Sequence, residues 1–190
     1  KSIALCGRAT NLIREKKKIL IVTFNITLIN YLGDLISRYG CNRNSATILH
    51  YHGLARRIFF EAGLEKEWAA LFPKGSSNID KNDMLFRTKI PLLLDKIIPT
   101  LDEETRLKYD YDAILVDEGQ DFSISWWNNL KSLLKTDGEM LLISDPTQDL
   151  YDSARAWTSE AMTGAGFSGQ WVTLNTCYRM PRKLQVSTNE

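Results

Sequence analysis

Residues 113–121 read Ala-Ile-Leu-Val-Asp-Glu-Gly-Gln-Asp, an apolar run that ends abruptly in an acidic cluster. Adjacent carboxylates such as Asp117 and Glu118 can divide two tasks in nucleotide hydrolysis. One holds Mg2+, usually through its waters, and the other orients or deprotonates the attacking water. An ordinary acidic turn is the commoner meaning of Asp-Glu alone. Gln120, Asp121 and the segments further along shift the reading towards a nucleoside triphosphate site.

Three other segments carry groups suited to the same chemistry. Residues 143–151, Ile-Ser-Asp-Pro-Thr-Gln-Asp-Leu-Tyr, present Gln148 after an Asp-Pro turn. A neutral amide both donates and accepts hydrogen bonds, so it can sense a γ-phosphate and relay its state to a neighbouring surface. Residues 174–181 contain Arg179, which could stabilise charge on a transferred phosphoryl group, and Tyr178, which could stack on a base. Lys1-Ser2 matches the last two positions of a P-loop, where a lysine neutralises phosphates and a hydroxyl ligates Mg2+. The glycines of that loop are not in the sequence, so Lys1-Ser2 gains its weight from its place one helix ahead of a strand.

The elements that must position these groups follow from periodicity. Helical apolar spacing runs from Ile3 to about Glu15, and 19–24 (Ile-Leu-Ile-Val-Thr-Phe) is a buried strand. Asn25 is placed to cap a helix whose Ile26, Ile29, Leu32, Leu35 and Ile36 share one face, with Gly40 as its stop. Residues 46–51 form another strand. From His52 to about Tyr109 the pattern is mainly helical: 54–62 is one segment and 83–98 a second, in which Pro91 demands a kink or break. A loop lies at 73–78, and Thr100 with Glu103 offers a capping box for a third short helix. Strand character resumes at 113–116, passes through a Trp-rich helix near 125–134, returns at 140–143, and is possible again at 171–174 before Pro181 opens a last helix. Strands separated by helices imply a mostly parallel sheet, whose carboxyl ends are the usual ligand edge.

Bulk properties narrow the class. The chain has 190 residues, 44% hydrophobic and 25% charged, the composition of a globular protein with one substantial core. Its formal net charge of +1 leaves any nucleic-acid contact to local patches, such as the basic residues at 14–18 and 56–57. Cys6, Cys41 and Cys177 are too scattered for a metal or disulfide framework and suggest a reducing compartment. His50 and His52 suit a structural or substrate-contact role better than a metal site. No stretch is long enough to span a bilayer and no signal peptide is visible, so no membrane partner is expected and the cytoplasm is the expected location.

Taken in order, these segments resemble the superfamily 1 helicases of the UvrD/Rep type. Residues 19–25 look like motif Ia, and 50–56 (His-Tyr-His-Gly-Leu-Ala-Arg) resemble motif Ib. Residues 117–121 are similar to motif II, usually Asp-Glu-Ala-Gln-Asp, with Gly119 in place of the alanine. Residues 144–151 resemble motif III, with Ser144 where glycine is usual and Asp152-Ser153 where a basic-aromatic pair is expected. Residues 175–179 resemble motif IV.

The resemblance implies an α/β fold, a RecA-like P-loop NTPase parallel sheet flanked by helices, with a small helical insertion. The lobe would comprise residues 1–52 and 110–190, with a short 1B-like subdomain at 53–109. ATP and Mg2+ would be its cofactors. Lys1 would contact phosphates, Ser2 and Asp117 would hold Mg2+, Glu118 would be the catalytic base and Gln148 the γ-phosphate sensor. Arg179 would be an arginine finger and Tyr178 would pack against adenine. Thr23, Phe24, Asn25, His52 and Tyr151 would contact single-stranded or partly duplex DNA. ATP would sit against a second RecA-like lobe of the same parent chain, so residues 1–190 alone are expected to hydrolyse it poorly. Two other assignments fit the same motifs: an ATPase switch module fused to a nuclease or other domain, and a nucleic-acid-binding scaffold with an inactive ATP site.

Overall fold

The computed structural model describes residues 1–72, 84–144 and Val172. Among these, four parallel strands and seven α-helices form a RecA-like α/β layer structure. The strands are β1 (Ile19–Thr23), β2 (Ala46–His50), β3 (Tyr111–Asp117) and β4 (Leu134–Leu142). The helices are α1 (Ser2–Arg14), α2 (Leu28–Arg38), α3 (Tyr51–Glu61), α4 (Glu65–Leu71), α5 (Ile90–Ile97), α6 (Glu103–Lys108) and α7 (Ile124–Lys131).

The sheet order is β2-β1-β3-β4. The chain steps from β1 outward to β2, then returns across β1 to β3. Crossovers of one hand that run in opposite directions must lie on opposite faces of the sheet. Accordingly α2 packs with α1 on one face, through Leu5, Cys6, Ala9, Leu12, Leu32 and Ile36 against Ile19, Ile21, Ala113 and Leu115. The other face carries α3, α5 and α7, which bury Leu54, Ile58, Leu94, Trp126 and Leu130 against Leu20, Val22, Ile114 and Val116. Every residue of β1 is buried, as its unbroken apolar run requires of a strand covered on both faces. The helices between β2 and β3 thus contribute directly to the cover of the sheet.

Pro91 is accommodated in a specific way. A π-helical turn, Leu85–Lys89, precedes α5, and Pro91 falls in the first turn of α5. Proline has no N–H to return to the carbonyl four residues back. That carbonyl, on Arg87, instead accepts a hydrogen bond from the Ser125 hydroxyl at 3.3 Å, and the neighbouring Phe86 carbonyl accepts one from the Trp126 indole at 2.8 Å. The irregular turn is therefore stitched to the start of α7. Asn129 completes the seam: its amide donates to the Pro91 carbonyl at 3.2 Å and to Asp95 at 2.6 Å, and its oxygen accepts from the buried Tyr51 hydroxyl.

Some local expectations need correction. The cap of α6 is Asp102, whose carboxylate accepts from the Thr105 N–H at 2.8 Å; Thr100 instead bonds back to the Ile97 carbonyl. Helix α2 begins at Leu28, and Asn25 organises the turn before it by accepting from the Thr27 amide and hydroxyl, both at 2.9 Å. Strand β4 starts six residues earlier than the apolar stretch suggests, with a register shift against β3 between Tyr111 and Ala113. The expected strand at 171–174 and the helix after Pro181 lie outside the described residues.

Candidate nucleotide and nucleic-acid edge

All four strands are parallel, so their carboxyl ends meet along one edge, and the order reverses between β1 and β3 at that edge. Thr23 pairs with both His50 and Asp117 in the register, which brings three of the sequence-selected segments together. Alternation along the strands then sorts their side chains by face. Asp117 and Thr23 continue the α1/α2 face of Leu115 and Ile21.

On that face the Ser2 hydroxyl donates to Asp117 Oδ2 at 2.8 Å, a buried contact between residues 115 positions apart in the chain. Ser2 sits at the first position of α1 and Lys1 caps it; the Lys1 carbonyl accepts from the Leu5 N–H at 3.0 Å, and Lys1 itself is exposed. Asp117 is fully buried. Burial pushes its carboxyl pKa up, the Ser2 hydrogen bond pulls it down, and neighbouring Glu118 raises it again. The nearby Cys6 thiol is pushed up to about 12, first by burial and then by the Asp117 charge. The Thr23 hydroxyl is buried there without a hydrogen-bond partner. These are hard oxygen donors, the type that suits Mg2+.

Glu118 leaves the strand in the left-handed region, with φ 55° and ψ 48°. For a residue with a Cβ that conformation is costly and is retained where the surroundings impose it. Here the next N–H, on Gly119, donates to the Ile143 carbonyl at 2.8 Å, while the Ile143 N–H donates to Val116 at 2.9 Å. The turn is thereby locked to the exit of β4. A Cβ on Gly119 would stand 2.4 Å from Leu142 Cδ1, so Gly119 is fitted to this chain's own Leu142. The Glu118 carboxylate accepts from the Gln120 amide at 2.8 Å.

The other face of the same edge is built of rings. Phe24, Asn25, Ile26, His50 and His52 line an open hollow of about 370 Å³. Phe24 stacks on Trp126 with centroids 6.1 Å apart, and His52 stacks on Phe86 at 3.7 Å. Tyr51 lies against Trp126 at 4.2 Å beneath them. His50 caps α3 by accepting from the Gly53 N–H at 3.2 Å, and burial lowers its pKa. No group of three or more His, Cys, Asp or Glu side chains suited to a metal occurs among the described residues.

The structure therefore gathers Ser2, Asp117, Glu118 and Thr23 on one side and Phe24, Asn25 and His52 on the other. Gln148, Tyr151, Tyr178 and Arg179 lie outside the described residues. Sequence reasoning gave no role to Phe86 or Trp126, because only the packing of the π turn on α7 brings them under His52 and Phe24. It also gave no role to Ser144, whose hydroxyl reaches Gln120 Oε1 at 3.5 Å.

Residues 73–159 match the family model described as the UvrD/REP helicase N-terminal domain. The matched span includes β3, the acidic turn and the segment with Gln148 and Tyr151, and it excludes Lys1, Ser2, the ring-lined hollow apart from Phe86 and Trp126 beneath it, and Arg179. No curated protein matches the chain significantly. No helix among the described residues is long and apolar enough to cross a membrane.

Proposed function

We propose, from the match of residues 73–159 to the UvrD/REP helicase N-terminal domain, that this chain is a motor lobe coupling Mg-ATP hydrolysis to movement on single-stranded DNA. The observation that carries this reading is the Ser2–Asp117 hydrogen bond at the carboxyl edge of the sheet, with Glu118 turned out one residue later. Helicases of this type generally use ATP and Mg2+.

In this reading Ser2 and Asp117, two hard oxygen donors, would hold Mg2+. Bound there, the ion would supply charge neutralisation at the phosphates. Lys1 adds a second positive charge to the phosphates. Glu118 accepts a proton from the attacking water, and its exit from the buried strand leaves it within reach of solvent. Gln148 senses the γ-phosphate, Arg179 stabilises the transition state and Tyr178 packs on adenine. Residues 1–52 and 110–190 form the lobe, 53–109 the segment inserted in it, and ATP lies between this lobe and a second one of the parent protein.

Phe24, Asn25 and His52 form the track for DNA, to which the resemblance adds Tyr151 and Thr23, the latter on the opposite face of the same strand end. Rings suit this task because every base offers a π-face, so stacking tolerates any sequence as the strand advances. The test is ATP hydrolysis by the intact protein with and without single-stranded DNA, beside a Glu118→Gln variant. DNA-stimulated hydrolysis that falls by roughly 10²- to 10⁴-fold in the variant is expected for loss of a general base. Hydrolysis indifferent to DNA would point to an ATPase switch module instead. DNA binding without hydrolysis would point to a scaffold.

A further inference from the structure

We propose that Gln120 is a positioning residue that holds the Glu118 carboxylate, and that Ser144 sets the orientation of the Gln120 amide. This rests on the reading of Glu118 as the base. Gln120 is only 2% exposed, an unusual place for an amide unless its hydrogen bonds are used. Its Nε2 donates to Glu118 Oε2 at 2.8 Å. An ionised carboxylate only accepts, so the NH2 end must face Glu118 and the oxygen end must face away. The oxygen end meets Ser144, whose hydroxyl donates to Gln120 Oε1 at 3.5 Å.

The main chain makes this three-residue link rigid. Glu118 is carried by a left-handed turn that gives its side chain no support from a regular strand. Gly119 and Ile143 are joined by a 2.8 Å backbone bond, so Gln120 and Ser144 ride on segments already fastened together. A flip of the Gln120 amide would set its oxygen against the Glu118 carboxylate, acceptor against acceptor. Ser144 disfavours that flip by donating to the opposite end. The carboxylate is thus held at the height of the β4 exit, the segment that leads a few residues later to Gln148. A shift of that segment would release or tighten the grip on Glu118.

The experiment measures kcat and KM for ATP in the DNA-stimulated intact protein, for Gln120→Leu, Ser144→Ala, Ser144→Thr, the Gln120→Leu/Ser144→Ala double variant and Glu118→Gln. Thermal melts are run on each. Gln120→Leu should lose roughly ten- to a hundredfold in kcat, the scale of a misplaced catalytic group, with KM little changed. Ser144→Ala should lose about two- to fivefold, Ser144→Thr should restore the rate, and the double variant should be no worse than Gln120→Leu alone. The link is overturned if folded Gln120→Leu keeps its rate, if Ser144→Ala costs as much in the double variant as alone, or if Ser144→Thr is as impaired as Ser144→Ala. Should Gln120→Leu fail to fold, the Ser144 pair decides. Glu118→Gln separates the two levels: retained hydrolysis there overturns the base assignment itself, whereas its loss beside a wild-type Gln120→Leu overturns only the link.

Discussion

The two faces of the sheet reach the same edge with opposite chemistry. Under α1 and α2 the edge ends in oxygens, with Ser2, Asp117 and Thr23 buried together. Under α3, α5 and α7 it ends in rings, with Phe24, His52, Phe86 and Trp126 in contact. The oxygen side holds a carboxylate whose burial disfavours its charge, a cost that a bound cation would relieve. Beneath the rings, Ser125, Trp126 and Asn129 are bonded to the Arg87 and Phe86 carbonyls and to Asp95. In the proposed reading, one face takes a ligand that brings charge and the other one that brings flat apolar surface.

The largest test of that contrast is Asp117→Asn. Hydrolysis should fall by about a thousandfold as a metal ligand is lost, yet the ligand-free protein should melt higher. The sign follows from the raised folded-state pKa of Asp117. Its stabilising contribution is full below the unfolded value near pH 4 and is lost as pH rises through the folded pKa. The melting advantage of the variant should therefore grow with pH across that window and then level off. Equal melting curves at all pH values would show that the buried carboxylate carries no such cost.

On the ring side, Asn129→Ala should destabilise the fold by about 2 kcal/mol in urea titration, because the buried Tyr51 hydroxyl loses its acceptor. KM for ATP should stay as it was, since the oxygen side is on the opposite face. Phe24→Ala should weaken single-stranded DNA binding by about 1–3 kcal/mol, the scale of one lost stacking contact, while hydrolysis without DNA persists. Binding unchanged by that substitution would remove Phe24 from the track. The smallest effect is expected from Gly119→Ala. The added methyl meets Leu142, at a cost of about 1–2 kcal/mol read as a lower urea midpoint.

Much of the frame was legible in the sequence because its signals are local. The run of four apolar residues that opens β1 and the alternation of helix with strand each report on neighbours a few positions away. The start of β4 was not legible: residues 134–139 are largely polar and become strand only by pairing with β3. Helix α4 was missed for a related reason. Its seven residues are too few for a clear period, and it is held by Trp68 packing on Phe59 at 5.1 Å and Phe72 at 5.3 Å. The break at Pro91 was expected from the missing N–H, but its form was not, because Ser125 and Trp126 supply the replacement bonds from more than thirty residues away.

By itself the sequence determined which residue types were present for phosphate chemistry, that Asp117 would end a buried strand, and that the strands would run parallel. Those follow from side-chain type and short-range period. The resemblance already set Ser2 beside Asp117, but only the tertiary structure decided that their contact would be a buried hydrogen bond, that Thr23 and Phe24 would serve opposite faces, and that Gln120 would stand between Glu118 and Ser144. Sheet order and register set which distant residues become neighbours, and these depend on how whole faces are buried, a property that no short window of sequence contains.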